Sequence, residues 1–491
     1  MAMDGLALGA VVGELSTLLG GKIDKVHQPE KDLLVLSIRA QNKTQKLLLC
    51  THAENGRVQL TDRAYENPLQ APAFCMLLRR RLTGGRIASI TQQGCDRVCE
   101  IVVSARNELF DEVPLRLVVE LTGKHGNVVL LEPDGRIADC LRRISASDTN
   151  TRILLPGFPY LPVPPQQKTD PYQASIQQLS EAYQSASDVP RALTDLFAGI
   201  SRQTAFALAS AAPDPEALHV LLQRMRNGAF YPCVAFGADG EPVCVLPFLP
   251  NGAFARVEPF KRMSDALDRF YADRDALTCI RRRGAALRRC MNTHLSRVQN
   301  KYAAFLETIA STDSLEDARV SGELLLANLS FAKPGMRELT VEDYYADPPK
   351  KRAIALDPAI SAAENATRYF KQYRKGKLSK AYAESQIEGL AAEIAYLEGQ
   401  LENIDKCETP LELGEIRDEL VREKYLRPEK RPAPKSGAKA SAPMRFRSSD
   451  GIPIYVGKNN RQNDTLTLQS ARSENLWLHA KNIPGSHVIV D

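Results

Sequence analysis

The sequence VCEIVVSARNELFDEVPLRLVVELTGKHGNVVLLEPDGRIADC spans residues 98–140 and sets the architecture of the N-terminal third of the chain. Runs rich in Val, Leu and Ile occupy residues 98–103, 115–120 and 127–131, and each has the length of a single strand. Pro133-Asp134-Gly135 separates the third run from residues 136–140 and is typical of a tight turn. The segment therefore predicts antiparallel strands that end in a hairpin.

Similar runs precede this segment, because residues 33–38, 46–50 and 87–91 predict three further strands. Apolar residues at helical spacing follow Asp4, a favoured helix N-cap residue, until two glycines end the pattern. A second helix is predicted near residues 72–82, and a Pro-rich stretch ends the region. Residues 1–171 therefore predict an α/β sandwich domain with mostly antiparallel strands.

The chain has 491 residues, too many for one hydrophobic core, so we expect an α+β multidomain fold. No run of about 18 apolar residues occurs and the N-terminus has no secretory signal, so neither a membrane span nor export is expected. Ten cysteines without a CxxC pair fit a reducing cytoplasm, and no Cys/His cluster has zinc-site spacing. These features predict a cytoplasmic protein without a metal ion or cofactor.

Residues 172–271 predict a mainly helical domain. Within it, residues 196–205 (LFAGISRQTA) resemble the turn of a helix-hairpin-helix. Backbone N–H groups at such a turn can face a phosphate, which makes Gly199 and Arg202 candidate phosphate-binding residues. The same pattern also describes any tight turn between two helices.

Two helical repeats follow in residues 272–427, with apolar residues that step by threes and fours. They are Met291, Leu295, Val298, Tyr302, Phe305 and Ile309 in the first repeat, and Ile387, Leu390, Ile394, Leu397, Leu401 and Ile404 in the second. Because a compact insert separates the repeats, they predict an antiparallel coiled-coil arm within one chain. A plain helical bundle is the alternative.

The net charge of +5 is mild, but residues 276–306 contain no acidic residue. The cations in that region are Arg281, Arg282, Arg283, Arg288, Arg289, Arg297 and Lys301. Such one-sided charge predicts a surface that faces nucleic-acid phosphates. The alternative is a solvated helix face whose acidic partners lie elsewhere in the fold.

Residues 428–443 are rich in proline, lysine and arginine and predict a basic linker. A further domain is predicted over residues 444–491, with a strand at 452–456 and the single tryptophan, Trp477. Because the sequence stops directly after the apolar run 487–490, we expect this α+β domain to be incomplete here.

Several short motifs occur along the chain in an order that one protein family shares. They are residues 3–5 (MDG), 121–127 (LTGKHGN), 155–160 (LPGFPY), 322–329 (GELLLANL), 356–358 (LDP), 365–375 (NATRYFKQYRK), 451–467 (GIPIYVGKNNRQNDTLT) and 477–487 (WLHAKNIPGSH). Together they resemble the NFACT family over essentially the whole chain. One departure is Gly126, where the family usually has serine.

The resemblance implies a role in ribosome-associated quality control. Such proteins bind a large ribosomal subunit that still carries a stalled peptidyl-tRNA, and they recruit alanyl-tRNA for template-free addition of an alanine tail. The resemblance also implies contact between the coiled-coil arm and the stalk base, and a small S4-like partner protein, RqcP. The ribosome forms the peptide bond, so no catalytic residue is expected in this chain.

Asp96-Arg97 matches an Asp-Arg pair that the family uses to handle tRNA. An arginine fork suits phosphates and base edges, although an ion pair inside the domain is the alternative. Lys124 and His125 could hold a phosphate, but a turn between strands is favoured because Walker spacing is missing. Four further residues are candidate RNA contacts, although a core position is favoured for Trp477 because Leu476 and Leu478 flank it. The four candidates are Trp477, His479, Lys481 and His487.

The family's N-terminal domain resembles that of formamidopyrimidine-DNA glycosylases, which use an N-terminal proline nucleophile with an adjacent glutamate. This chain has Ala2 and Met3 at those places, so glycosylase chemistry is disfavoured and Asp4 is interpreted as a helix cap. Two alternative functions remain open at this point. One is a fibronectin-binding surface adhesin, and the other is a nucleic-acid-processing enzyme.

Overall fold

A computed structural model of the chain describes residues 3–68, 70–106, 111–145, 152–164, 166–184, 188–428, 441–481 and 485–491. These residues divide into two compact units, one ending at Ala276 and the other beginning at Leu277. This division is coarser than the five predicted segments, whose borders stay predictions. Most of the predicted basic linker, residues 429–440, lies outside the described residues.

The first unit begins with two helices and nine strands. They are α1 (Gly5–Leu15), β1 (Lys22–Glu30), β2 (Leu33–Ala40), β3 (Lys43–Cys50), β4 (Arg57–Leu60), α2 (Ala73–Leu82), β5 (Arg86–Gln92), β6 (Val98–Arg106), β7 (Glu112–Glu120), β8 (Asn127–Leu131) and β9 (Ile137–Cys140). The predicted strands and both helices are present, and β1 and β4 are additions.

The nine strands form one antiparallel sheet in the order β4-β3-β2-β1-β5-β6-β7-β8-β9. β1 and β5 are joined at the single pair Lys22–Arg86, so the sheet has two halves. Alternate residues of both halves, such as Leu36 and Ile101, enter one hydrophobic core together with Leu8 of α1 and Leu78 of α2. The predicted sandwich is therefore a single continuous sheet whose two halves share a core.

The rest of the first unit contains four helices, a small sheet and the start of a long helix. They are α3 (Ile176–Gln184), α4 (Val189–Leu196), α5 (Arg202–Ala211), α6 (Pro215–Arg226), β10 (Cys233–Phe236), β11 (Pro242–Leu246), β12 (Arg256–Pro259) and α7 (Met263–Ala310). The three strands pair antiparallel in the order β11-β10-β12. The segment is mainly helical, as predicted, but the sheet over residues 233–259 was not anticipated; there, short apolar runs pair as strands.

The start of α7 is fixed to strand β4 by buried charge. The Arg57 side chain is fully buried, and its Nη2 lies 2.5 Å from Asp275 Oδ2 while its Nη1 lies 3.2 Å from Oδ1. The guanidinium also lies 4.4 Å from the ring centre of Tyr271. A buried charge without a partner lowers the stability of the folded state. The start of α7 must therefore lie where Asp275 can pair with Arg57.

The second unit contains the remainder of α7 and three further helices with a hairpin. They are α8 (Thr312–Ala327), β13 (Glu338–Asp343), β14 (Lys350–Ala355), α9 (Ala362–Lys406) and α10 (Pro410–Arg422). Arg288 of α7 pairs with Asp405 of α9, whereas Phe305 contacts Tyr382 with ring centres 5.9 Å apart. The two helices therefore run antiparallel, in the direction that the repeats predicted.

The C-terminal residues of this unit form a four-stranded antiparallel sheet in the order β15-β16-β18-β17. Its elements are β15 (Met444–Arg447), β16 (Pro453–Val456), α11 (Asn460–Asp464), β17 (Leu476–Leu478) and β18 (Val488–Val490), with a π-helical turn over Thr465–Ser470. Residues 441–491 are called the C-terminal module below.

Replacing Asp275 with alanine leaves the Arg57 charge buried without its carboxylate. We expect Asp275→Ala to lower the free energy of unfolding by about 3–5 kcal/mol in urea unfolding of the full chain. The control is Asp195→Ala, which removes the exposed Arg191–Asp195 pair at 3.8 Å and costs at most about 1 kcal/mol. Equal losses in both variants would contradict the anchoring role of the buried pair.

Candidate nucleic-acid interface

Asp96 and Arg97 occupy the tight connection between β5 and β6. The Asp96 carboxylate accepts the Arg97 backbone N–H at 2.7 Å, and Gln92 Nε2 donates to the Asp96 carbonyl at 2.8 Å. Within the described residues the half-exposed Arg97 guanidinium has no ion pair or hydrogen bond. The alternative of an internal ion pair is therefore not formed here, and the Arg97 fork is available to a ligand.

A close three-way backbone contact holds this connection in place. A Cβ on Gly5 or on Gly199 would lie 1.8 Å from the carbonyl oxygen of Cys95. Gly5 also donates its N–H to the Gly199 carbonyl at 2.8 Å, and Gly199 has a φ of +70°. The start of α1, the turn before α5 and the Asp96-Arg97 connection are thereby packed together.

The carboxylate of Asp4 already accepts hydrogen bonds at the turn before α5. Asp4 is buried; its Oδ1 caps α1 by accepting the Ala7 N–H at 3.0 Å, and its Oδ2 accepts from Ser201 N–H at 3.3 Å and from the Thr204 hydroxyl. Asp4 is a helix cap, as the sequence indicated. The Ser201 N–H is thus occupied by a carboxylate, and Gly199 has a packing role, while Arg202 is exposed at the first turn of α5.

Lys124 and His125 lie in an exposed 3₁₀ turn (Gly123–His125) between β7 and β8. Leu121, just before this turn, donates its N–H to the Arg97 carbonyl at 2.9 Å. Both segments therefore lie at the same end of the neighbouring strands β6 and β7. A Cβ on Gly126 would lie 2.7 Å from the Thr51 carbonyl oxygen, which accounts for glycine at this position in this chain.

The basic residues of α7 in the second unit lie mainly on its exposed side. Arg281, Arg288, Arg289, Arg297 and Lys301 are exposed, whereas Leu287 and Met291 face the core with Leu397 of α9. Asn292, Ser296 and Asn300 lie along the same side and line an open groove together with Arg289 and Arg297. Arg288 finds an acidic partner in Asp405, as the alternative interpretation expected, and Arg282 and Arg283 also have interactions within the protein.

Trp477 is exposed over 47% of its surface. The prediction that it lies in the core was therefore wrong. It lies on β17, an edge strand of three residues, which leaves Leu476 and Leu478 exposed as well. Its ring lies 5.9 Å from His479 with an interplanar angle of 18°, and 5.4 Å from His487. Lys481 is exposed nearby in sequence. Three of the four predicted residues, Trp477, His479 and His487, thus form one aromatic cluster, while Lys481 has no described contact with it.

Sequence reasoning missed a row of carboxylates on α10 that holds the C-terminal module. Three successive module residues contact three glutamates. Lys458 Nζ lies 2.6 Å from Glu412, Asn459 Nδ2 lies 3.0 Å from Glu415, and Asn460 Nδ2 lies 3.1 Å from Glu419. Burial raises the pKa of Glu412, but hydrogen bonds from Lys458 and backbone N–H groups outweigh it and leave the pKa lowered. The signal that could have revealed this row is the spacing of the three glutamates, which are three and four residues apart and therefore lie on one face of a helix.

The ten cysteines are free thiols. Burial raises the pKa of Cys50 to about 11 and that of Cys99 to about 12, so both stay protonated at neutral pH. The described part of the chain contains no group of three or more His, Cys, Asp or Glu side chains that could hold a metal ion. In the same residues, every helix is too short or too polar to cross a bilayer.

Comparison with known proteins shows the family that the sequence motifs indicated. A family model described as the NFACT N-terminal and middle domains matches residues 4–439. The Bacillus subtilis protein named Rqc2 homolog RqcH is 34% identical over 501 residues, covering 100% of this chain and 87% of the relative. The chain belongs to the NFACT family.

Two further NFACT relatives cover smaller parts of the chain. The mouse protein named ribosome quality control complex subunit NEMF is 28% identical over 137 residues, which are 28% of this chain and 12% of that protein. A solved N-terminal part of the fibronectin/fibrinogen-binding protein from Streptococcus suis has a TM-score of 0.50 and 31% identity, and it covers 55% of this chain and 100% of that one.

The packing against Cys95 gives a direct test of how the Asp96-Arg97 connection is held. Alanine at Gly199 or at Gly228 must adopt a positive φ, which costs about 1–2 kcal/mol. A Cβ added at Gly228, which has a φ of +84°, meets no atom within 4 Å, whereas a Cβ at Gly199 meets Cys95. We therefore expect Gly199→Ala to cost about 1–3 kcal/mol more than Gly228→Ala in urea unfolding. Indistinguishable losses would contradict the three-way contact.

Proposed function

We propose that this protein is a ribosome-associated quality-control factor that binds the large ribosomal subunit and tRNA. The observation that carries the proposal is the full-length match to the relative named RqcH. The mouse relative's name places that protein in a ribosome quality control complex. In this role the chain binds and positions RNA, and the ribosome forms the peptide bond.

The Asp96-Arg97 connection is the proposed tRNA contact. Its backbone is fixed by Gln92 and by the packing of Gly5 and Gly199 on Cys95, while the Arg97 guanidinium stays half-exposed. A planar guanidinium on a rigid connection can bind a phosphate or a base edge with little loss of conformational entropy. Lys124, His125 and Arg202 are proposed as supporting contacts of the same unit.

The exposed cations of α7 are the proposed contact to ribosomal RNA. In this proposal, α7, α8 and α9 form the coiled-coil arm, residues 196–205 form the helix-hairpin-helix turn, and the C-terminal module is an RNA-binding domain. Family resemblance adds the finer steps, namely alanyl-tRNA recruitment beside peptidyl-tRNA, alanine tailing, a stalk-base contact and the partner RqcP.

The alternative adhesin role is supported by the name of the Streptococcus suis structure, which is that of a fibronectin/fibrinogen-binding protein. Cell fractionation distinguishes the two roles. Sedimentation with large ribosomal subunits at low salt supports the proposed function, whereas a predominantly surface-exposed pool that binds fibronectin supports the alternative.

Removing the Asp96-Arg97 charges should weaken tRNA binding without unfolding the domain. We expect Asp96→Asn combined with Arg97→Ala to reduce tRNA recovered with the tagged protein by about tenfold, since contacts to charged groups contribute about 1.5–3 kcal/mol. The readout is RNA blotting after purification at low salt, with alanine tails on a stalled reporter as a second readout.

The matched control for this variant is Arg39→Ala, which removes an exposed arginine from strand β2 of the same sheet. It should leave tRNA recovery within about twofold of the unmodified protein, because a single remote charge changes only a screened interaction. Equal recovery from both variants would refute the assignment of Asp96 and Arg97.

The basic side of α7 should determine the salt dependence of subunit binding. We expect Arg281→Ala, Arg289→Ala and Arg297→Ala together to weaken binding to purified large subunits and to reduce the slope of log affinity against log salt by about two to three. Arg191→Ala on α4 is the control. An unchanged slope in the triple variant would show that these arginines do not meet phosphates.

A further inference from the structure

The C-terminal module and helix α9 enclose a cleft of about 460 Å³ in the second unit. Tyr396 and Asn403 of α9 form one wall. Asn463, Asp464 and the two histidines His479 and His487 of the module form the other. A volume of this size accommodates a nucleobase with its sugar, and pockets for small ligands begin at about 300 Å³.

The two walls are held together by polar contacts that leave the cleft open. Lys458, Asn459 and Asn460 engage the α10 glutamates, and Gln400 Nε2 of α9 donates to Glu419 at 2.5 Å. Asn463 is buried, and its Oδ1 accepts the His487 N–H at 3.0 Å. The cleft is therefore a built feature of one compact unit.

The lining favours an uncharged, planar ligand over a phosphate. Among the described residues that line the cleft there is no lysine or arginine, and Asp464 would repel a phosphate. The Asn403 side chain and the exposed Asp464 carboxylate offer a donor and acceptors of the kind that read base edges, whereas Asn463 holds the cleft wall through its hydrogen bonds with His487 and Gly485. Since no group of three metal-ligating side chains occurs in the described residues, the histidines fit stacking better than metal binding.

The mouth of the cleft carries aromatic rings. His479 lines the cleft and lies nearly parallel to the exposed Trp477, and His487 stands edge-on to His479 with ring centres 5.1 Å apart. His487 Nδ1 shares a hydrogen bond of 2.7 Å with the Thr467 hydroxyl, which fixes its ring. Exposed parallel rings beside base-reading amides are the combination that single-stranded RNA sites use.

We propose that this cleft binds one unpaired nucleobase of RNA, stacked on the Trp477–His479 rings with its edge toward Asn403 and Asp464. The inference rests on the proposed function for the source of the RNA, and it adds the class of ligand and the residues that select it. An unpaired base is required because a base within a duplex presents neither its face nor its pairing edge.

The single tryptophan of the chain makes the proposal directly measurable. The experiment titrates the purified full chain with a short oligouridylate and follows Trp477 fluorescence, because a stacked base quenches indole emission. A fully paired RNA hairpin of equal phosphate number is the matched probe. We expect saturable quenching by the oligouridylate and little quenching by the hairpin.

Two variants test the assigned residues while keeping the reporter. His479→Ala should weaken oligouridylate binding by about tenfold because it removes a stacking ring. Asn403→Ala should weaken it by about threefold to tenfold because it removes a hydrogen bond to the base edge. Arg472→Ala, an exposed change outside the cleft, should leave binding unaltered. Circular dichroism verifies that each variant is folded.

Unchanged Trp477 emission with oligouridylate, or equal quenching by the hairpin, would overturn the proposal. Full-strength binding by both cleft variants would overturn it as well. A chain that recovers large subunits from cells but is not quenched refutes the cleft alone. A chain that is quenched but recovers neither subunits nor tRNA refutes the proposed function alone.

Discussion

A fully buried guanidinium is the constraint on which the first unit depends. Arg57 lies on the edge strand β4. Its guanidinium forms an ion pair with the Asp275 carboxylate of α7, and Gln59 and the Asn55 carbonyl accept its other N–H groups. Glu14 of α1 in turn accepts from Ser264 N–H at 3.1 Å at the start of the same helix. The sheet and the start of α7 therefore depend on each other, because removing either partner of the buried pair leaves an uncompensated charge.

Buried polar contacts also define the regions that we connect with function. Asp4 joins the start of α1 to the start of α5, and the glycines at the Cys95 carbonyl bring the Asp96-Arg97 connection against both. In the second unit, glutamates of α10 hold the C-terminal module. In both places, charged and amide groups fix the geometry while a few neighbouring side chains stay exposed for a partner.

Much of the fold could be predicted, because apolar runs of strand length and apolar residues at helical spacing can be recognised from neighbouring residues alone. The antiparallel strands over residues 98–140 and the pairing of α7 with α9 are examples. Strand β4 could not be recognised, since its buried Arg57 and Gln59 look like exposed residues until Asp275 and Asp268 are placed beside them. Strand β1 was hidden for a different reason, because three of its first four residues are lysine or aspartate and these do not have the apolar run that marks a strand.

The sequence named candidate site residues, but it did not show which of them lie together in the fold. Nothing local shows that Gly199 lies on Cys95, because 104 positions separate them in sequence. The leucines beside Trp477 suggested burial, yet a three-residue edge strand exposes all three side chains. Residues 458–460 (KNN) were recognised only as part of a family motif, and the sequence did not show that their side chains contact glutamates of α10.

The proposed function requires that the protein bind ribosomal RNA and tRNA, and a catalyst or an adhesin would not need to do so. The most direct measurement is to purify the intact protein from cells at low salt and to sequence the RNA that accompanies it. Large-subunit ribosomal RNA and tRNA should be enriched over small-subunit RNA. Recovery of neither, from protein that is folded and abundant, would contradict the account.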